Sequence, residues 1–260
     1  MKKQSFAIIV AIGLIACIFI IGNPLSLAQS IQYFSDLGDK RPTRKILILG
    51  NSRTFYNDMP AMLRKMADSA QDDHRLQFTI EALPGASLES LMKDPDVTAL
   101  LAQNWDDVIV QAESRAQSNE ENRQSFALYG KQMLKAAKAR NGQPKLIVNW
   151  AYSNEIFPEA RDPEVRRAFV DEIQSDYKKL AENGNASLVN VGLVWEQLLT
   201  EKPDIQLYED GNHPSIAGSY LEALMLYQSL SPAKAPDVSY IPHGLTPDTS
   251  ATLKLAVSEH

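Results

Sequence analysis

One pattern recurs along the chain: a short apolar run, a turn-rich break, then a segment with apolar residues at helical spacing. Ile46-Leu47-Ile48-Leu49 is unbroken apolar, which predicts a strand buried on both faces. Gly50 permits a sharp turn at its end. Asn57 and Asp58 can cap a helix with Pro60 in its first turn, and Met59, Leu63, Met66, Ala67 and Ala70 follow at helical spacing. Leu76 to Ala82 alternates apolar and polar residues, a second strand, and ends in the turn-rich loop Leu83-Pro84-Gly85-Ala86-Ser87. Residues 88–104 read as helix, interrupted at Pro95.

Asp107 to Gln111 holds Val108-Ile109-Val110, a third buried strand, before a polar loop from Glu113 to Asn119. Ser118 and Glu121 have capping-box spacing, and Phe126, Tyr129, Met133, Ala136 and Ala137 mark a long amphipathic helix that Gly142 ends. Lys145 to Trp150 is a fourth strand, and Ala151 to Asp162 a long loop. Val165, Phe169, Ile173, Tyr177 and Leu180 predict a helix stopped near Asn183-Gly184. Ala186 to Val191 is a fifth strand and Val194 to Leu199 a short helix. Strands alternating with helices imply one α/β domain, a five-stranded parallel sheet with helices on both faces. The stretch from Ser231 to His260 is rich in proline and turn residues and reads as a surface tail.

Composition adds location and excludes partners. The 260 residues are 44% hydrophobic and 22% charged, ordinary for a protein with a core. The net charge of −6 offers no general basic surface for nucleic acid. Lys2 and Lys3, an apolar run from Phe6 to Ile21 and Ser26-Leu27-Ala28 form the n-region, h-region and cleavage site of a secretory signal peptide, residues 1–28. Residues 29–43 follow as a linker, and the domain spans 44–230. Two alternatives compete: an uncleaved membrane anchor over residues 6–21, and lipidation of Cys17, the only cysteine, within Leu14-Ile15-Ala16-Cys17. Each places the domain outside the cytoplasm, periplasmic or secreted. Cys17 alone excludes an intrachain disulfide.

Two stretches carry candidate chemistry. Ser52 sits just past the first strand, at the sheet edge where open α/β folds bind ligands, and is a candidate nucleophile. Far along the chain, Asp210 and His213 lie on the turn Glu209-Asp210-Gly211-Asn212-His213-Pro214-Ser215, with Ser215 placed to cap a helix bearing Ile216, Tyr220, Leu221 and Leu224. An Asp three residues before a His can orient the ring and leave its other nitrogen free to take a serine proton.

Gly50-Asn51-Ser52 and Asp210-x-x-His213-Pro214-Ser215 together resemble the first and last blocks of the SGNH, or GDSL, hydrolases. The resemblance covers roughly residues 44–230. It implies a three-layer α/β/α sandwich with sheet order 2-1-3-4-5, and ester hydrolysis by a Ser52–His213–Asp210 triad. It also implies an oxyanion site of the Ser52 and Gly85 backbone N–H groups, with no cofactor. Two blocks depart from the family. Asn51 stands where the family has Asp. Val110-Gln111-Ala112-Glu113-Ser114-Arg115 stands where the family has Gly-x-Asn-Asp, so the third oxyanion donor passes to Gln111, with Arg115 as a second choice. Losing such a donor costs on the order of 100–1,000-fold in rate.

Trp150, Tyr152 and Arg53 are candidates for contact with a small-molecule or glycan ester. Trp150 and Tyr152 read equally well as core aromatics, and Arg53 reads better as a solvated surface arginine. His74, His243 and His260 read as surface residues, and no grouping has metal-ligand spacing. Two alternatives to the esterase keep the same fold: a carbohydrate-binding protein without efficient chemistry, and an O-acyltransferase using the same triad.

Overall fold

The computed structural model describes residues 41–70, 73–231 and 235–260. The signal-peptide, anchor and lipidation readings, and nearly all of the linker, lie outside the described residues. Five strands form one parallel sheet: β1 (Thr43–Gly50), β2 (Arg75–Ala82), β3 (Asp107–Gln111), β4 (Gln143–Ile147) and β5 (Ser187–Val189). Their order is β2-β1-β3-β4-β5, as the resemblance implied.

The continuous apolar run of β1 is explained by its central place. Ile46 and Ile48 face one layer, with Met59, Leu63, Leu221 and Leu224, whereas Leu47 and Leu49 face the other, with Phe126, Met133 and Leu134. These four residues of β1 are fully buried, each contributing about 1.5–3 kcal/mol. One layer holds α2 (Met59–Ser69), α7 (Val191–Glu201), α8 (Ile216–Leu230) and α9 (Pro247–Ser258), and the other α3 (Leu88–Lys93), α4 (Pro95–Leu101), α5 (Glu120–Lys138) and α6 (Pro163–Gly184). The four-residue α1 (Ser52–Phe55) follows β1 directly. The segment 88–104, expected as one interrupted helix, is two: Asp94 ends α3 and caps α4, accepting from the Asp96 and Val97 N–H groups ahead of Pro95.

The C-terminal stretch is not a surface tail. After the turn Ala235–Asp237, helix α9 buries Leu253 and Val257 fully. The reason lies in α8, which is buried from Ala217 to Tyr227 and therefore needs cover on its outer side. Tyr220 ties α8 to this stretch, donating to the Tyr240 carbonyl at 2.8 Å. Among the described residues no helix is long and apolar enough to cross a membrane.

Candidate active site

The turn after β1 is fixed by side chains that only these residue types supply. A Cβ at Gly50 would lie 2.0 Å from Thr54 Oγ1, so the position takes only glycine. Asn51 caps α1: its Oδ1 accepts from Arg53 N–H at 3.1 Å, and its own N–H donates to Thr54 Oγ1 at 3.3 Å. Its Nδ2 donates to the Ala112 carbonyl at 3.0 Å and the Gln111 carbonyl at 3.4 Å, fastening the turn to the end of β3. An aspartate cannot make these two donations and would place a charge against two carbonyls at a buried site. Asn51→Asp is therefore expected to lower stability by about 2 kcal/mol, read as a fall in the urea midpoint.

Ser52 opens α1, and its Oγ lies 2.9 Å from His213 Nε2. The loop carrying His213 is closed by an isolated antiparallel bridge between Tyr208 and Pro214, with Glu209 N–H donating to the His213 carbonyl at 2.9 Å. Asp210 folds back within it. Its Oδ1 accepts from the N–H groups of Asn212 at 3.0 Å and His213 at 2.7 Å, and its Oδ2 lies 2.7 Å from His213 Nδ1. Desolvation pushes the Asp210 carboxyl up, but hydrogen bonds from the His213 ring and from these two N–H groups outweigh it and hold the carboxyl at about 2. An ionised Asp210 accepts from Nδ1–H, which leaves Nε2 as the acceptor facing Ser52. Tyr56 stacks on the imidazole at 4.5 Å and 11°. Gly211 has φ +84°, and a Cβ there would lie 2.4 Å from Ser153 Oγ.

Arg53 is not a surface residue and does not face substrate. It is 1% exposed. Its Nη2 and Nε donate to Asn212 Oδ1 at 2.8 and 3.2 Å, and its Nη1 donates to the Trp150 carbonyl at 3.0 Å. The guanidinium lies 4.5 Å from the Trp150 ring centroid. Trp150 is buried too, stacked on Trp195 at 4.3 Å, and donates through Nε1 to the Asn212 carbonyl at 3.1 Å. Asn212 is thus gripped at both its side chain and its backbone, between Asp210 and His213. Arg53 and Trp150 position the loop that carries His213 and, being buried, do not line an open surface. Tyr152 is half-buried, with its hydroxyl 2.8 Å from Ser114 Oγ. A cavity of about 850 Å³ lies behind the loop, lined by Arg166, Glu196, Tyr208 and Gly211 among others, and includes neither Ser52 nor His213.

No protein-family model and no curated relative matches the chain. Solved structures do. A candidate SGNH hydrolase from Slackia heliotrinireducens is 27% identical, with a TM-score of 0.61 over 73% of this chain and 100% of that one. A DUF4886 family protein from Bacteroides uniformis is 17% identical, with a TM-score of 0.67 over 84% of this chain and 94% of that one. A variant of an acetyl-xylooligosaccharide esterase from Geobacillus is 16% identical, with a TM-score of 0.55 over 77% of this chain and 96% of that one. The chain has the fold of the SGNH hydrolases.

Within the SGNH fold, the departures noted in the sequence now have physical content. Gly85 adopts φ +67° with nothing within 4 Å of where a Cβ would stand, so its surroundings are open. Neither its N–H nor that of Ser52 is hydrogen-bonded to another described residue, and the Ser52 N–H is a free donor of a first helical turn. Gln111, by contrast, does not offer its amide to an oxyanion. It is fully buried; its Oε1 accepts from Thr54 Oγ1 at 2.5 Å and its Nε2 donates to Glu222 Oε1 at 3.0 Å. A glutamine on the last residue of β3 is still within the sheet, where its side chain enters the layer below. Arg115 is exposed on the turn beyond β3. Of the donors expected for an oxyanion, the backbone N–H groups of Ser52 and Gly85 are the two without a hydrogen-bond partner among the described residues. Among the described residues no group of three or more His, Cys, Asp or Glu could hold a metal ion.

Four contributors escaped the sequence reading: Thr54, Tyr56, Asn212 and Glu222. Glu222 alone left a signal, a carboxylate within the apolar run Tyr220-Leu221-Glu222-Ala223-Leu224-Met225-Leu226. Burial pushes its carboxyl up to about 8, against the pull of Arg53 and Gln111. The sign follows from proton uptake on folding. The native carboxyl holds its proton up to about pH 8, while the unfolded one releases it near its ordinary value of 4.5. Stability contributed by this group is complete below 4.5 and falls as pH rises through 8, at up to about 1.4 kcal/mol per pH unit. Glu222→Gln is expected to flatten that slope, which melting temperatures at pH 5 and pH 8 would read directly.

Proposed function

We propose that the protein is a serine hydrolase of carboxylic esters, acting on a small acyl group such as acetate on a carbohydrate hydroxyl. The observation carrying the reading is the relay from Asp210 Oδ2 to His213 Nδ1 at 2.7 Å and from His213 Nε2 to Ser52 Oγ at 2.9 Å. Both distances lie within the reach that proton transfer requires. His213 takes the Ser52 proton as Oγ attacks the ester carbonyl, and Asp210 stabilises the imidazolium that forms. The Ser52 and Gly85 N–H groups face the developing oxyanion. Collapse expels the alcohol, protonated by His213, and leaves an acyl group on Ser52. Water, deprotonated by His213, attacks that acyl group; the acid departs and Ser52 regains its proton.

The small-acyl reading draws on the likeness to the acetyl-xylooligosaccharide esterase and on the N-terminal residues. Lys2, Lys3, the apolar run 6–21 and Ser26–Ala28 support delivery outside the cytoplasm, where acetylated glycans are accessible. The assembled relay favours a hydrolase over a binding protein that has lost its chemistry.

The test compares acetate release from acetylated xylo-oligosaccharides with hydrolysis of p-nitrophenyl esters of increasing chain length. The expected order is acetyl above butyryl above octanoyl, with acetate release from the oligosaccharide abolished in Ser52→Ala. Preference for octanoyl would remove the small-acyl reading, and equal acetate release by Ser52→Ala would remove the mechanism.

A further inference from the structure

Helix α8 begins just after His213, and along its buried face it carries a row of polar residues at helical spacing: Ser215, Ser219 and Glu222. Each reaches toward chain that the active site uses. Ser215 caps α8, accepting from the N–H groups of Ala217 and Gly218, and its Oγ also donates to the Gln206 carbonyl at 2.5 Å. Ser219 Oγ lies 3.2 Å from the Tyr56 carbonyl, to which it donates, and accepts from Asn57 Nδ2 at 3.0 Å. That same Asn57 amide donates to the Pro214 carbonyl at 2.8 Å, so the residue beside His213 is joined to the residue beside Tyr56.

Glu222 reaches the nucleophile turn through two intermediates. Its Oε1 accepts from Gln111 Nε2, Gln111 Oε1 accepts from Thr54 Oγ1, and Thr54 Oγ1 accepts from Asn51 N–H. The directions of these bonds are mutually consistent. Thr54 Oγ1 accepts from Asn51 and gives its one proton to Gln111 Oε1, and the Gln111 amide nitrogen then faces Glu222. The Thr54 hydroxyl is also the atom nearest the open side of Gly50. Glu222 and Gln111 are fully inaccessible and Thr54 is too. Glu222 Oε2 has no partner among the described residues. A carboxyl in such a place destabilises the core relative to leucine, so its contribution is directional rather than cohesive.

We propose that Glu222 is a positioning residue: through Gln111 and Thr54 it sets the Asn51–Ser52 turn against the helix that carries His213, and so fixes Ser52 Oγ within reach of Nε2. The proposal rests on the serine-hydrolase reading above, since it assigns Glu222 to that nucleophile. It accounts for why Gln111 stands at the end of β3, where it serves the turn from below instead of the oxyanion from above. Displacements of about 1 Å at a reacting atom cost roughly 100-fold in rate, so partial release of the turn is expected to be visible in kcat before it is visible in stability.

Three variants test it with p-nitrophenyl acetate: Glu222→Leu, which removes the acceptor at similar volume; Thr54→Val, which cuts the chain at its other end; and Glu222→Gln, which keeps a neutral acceptor. Glu222→Leu and Thr54→Val are expected to lower kcat about tenfold or more with KM within about twofold, the pattern of an interaction expressed at the transition state. Glu222→Gln is expected to restore kcat to within about twofold of the wild type. A folded Glu222→Leu protein with wild-type kcat, or a Glu222→Gln protein as slow as Glu222→Leu, overturns the proposal. Crystal structures of wild type and Glu222→Leu supply a readout independent of turnover. The Ser52 Oγ to His213 Nε2 distance is expected to lengthen beyond hydrogen-bond reach, and an unchanged distance overturns the proposal. Should the wild type hydrolyse no ester, the serine-hydrolase reading fails on that result alone, and the two crystallographic distances still decide whether Glu222 sets the turn.

Discussion

Ser52→Ala is expected to reduce ester turnover by about four to six orders of magnitude while leaving the melting temperature unchanged within a few degrees. The size follows from the relay. Among the described residues, Ser52 Oγ is the hydroxyl that lies 2.9 Å from His213 Nε2, so its loss removes the atom that would carry the acyl group. His213→Ala is expected to cost a similar factor, and the double variant no more than either single one, because the two residues act as a unit. Ser52 is partly exposed and its Oγ holds no structural bond beyond His213, so the fold does not depend on it. Steady-state kinetics on the three variants, each checked by thermal melting, reads the prediction. Additive losses would mean that serine and histidine do not share one step.

The second large effect belongs to Arg53. Arg53→Met keeps the stem and removes the guanidinium, and is expected to destabilise the protein by about 3 kcal/mol, since three charge-assisted bonds disappear and the Asn212 side chain and Trp150 carbonyl lose their donors. Activity is expected to fall by about 100-fold in kcat even below the melting temperature. The cause is geometric. Asn212 lies between Asp210 and His213, and Arg53 is the link that ties it to the residue after the nucleophile. Burial works against the charged form of Arg53 and pulls its pKa down, with nearby Tyr152, Tyr208 and Glu222 among the groups opposing the shift. Arg53→Lys shortens the reach and replaces a planar fork with a point donor, and is expected to recover only part of either loss. Denaturant unfolding together with kcat and KM on both variants separates the two components. A loss confined to KM would return Arg53 to a substrate-contacting role.

How far the sequence revealed this architecture depends on the distance over which each signal acts. The buried strands were legible because Ile46–Leu49 and Val108–Val110 carry their environment in their own composition. The meeting of Ser52, His213 and Asp210 was legible because they sit on turns with their own grammar, Gly-x-Ser after a strand and Asp-x-x-His before a capped helix. Arg53 was misjudged for the opposite reason. Arginine is ordinarily solvated, and the indole and Asn212 that bury it come from residues about a hundred or more positions away. Gln111 was placed in the oxyanion site from its position in the chain, but a strand's alternation decides which layer a side chain enters, and here it enters the layer holding α8. The C-terminal helix was hidden by the prolines and turn residues that precede it. Its need became visible only once α8 was found buried on every side.

The central claim is that Ser52 is a nucleophile activated by His213, and covalent labelling by a fluorophosphonate followed by peptide mapping tests it most directly. The wild-type domain is expected to gain one phosphonyl group, on Ser52, with no adduct in Ser52→Ala and labelling slowed by at least about 1,000-fold in His213→Ala. A wild-type protein that stays unlabelled, or one labelled on another residue at the same rate in Ser52→Ala, would contradict it.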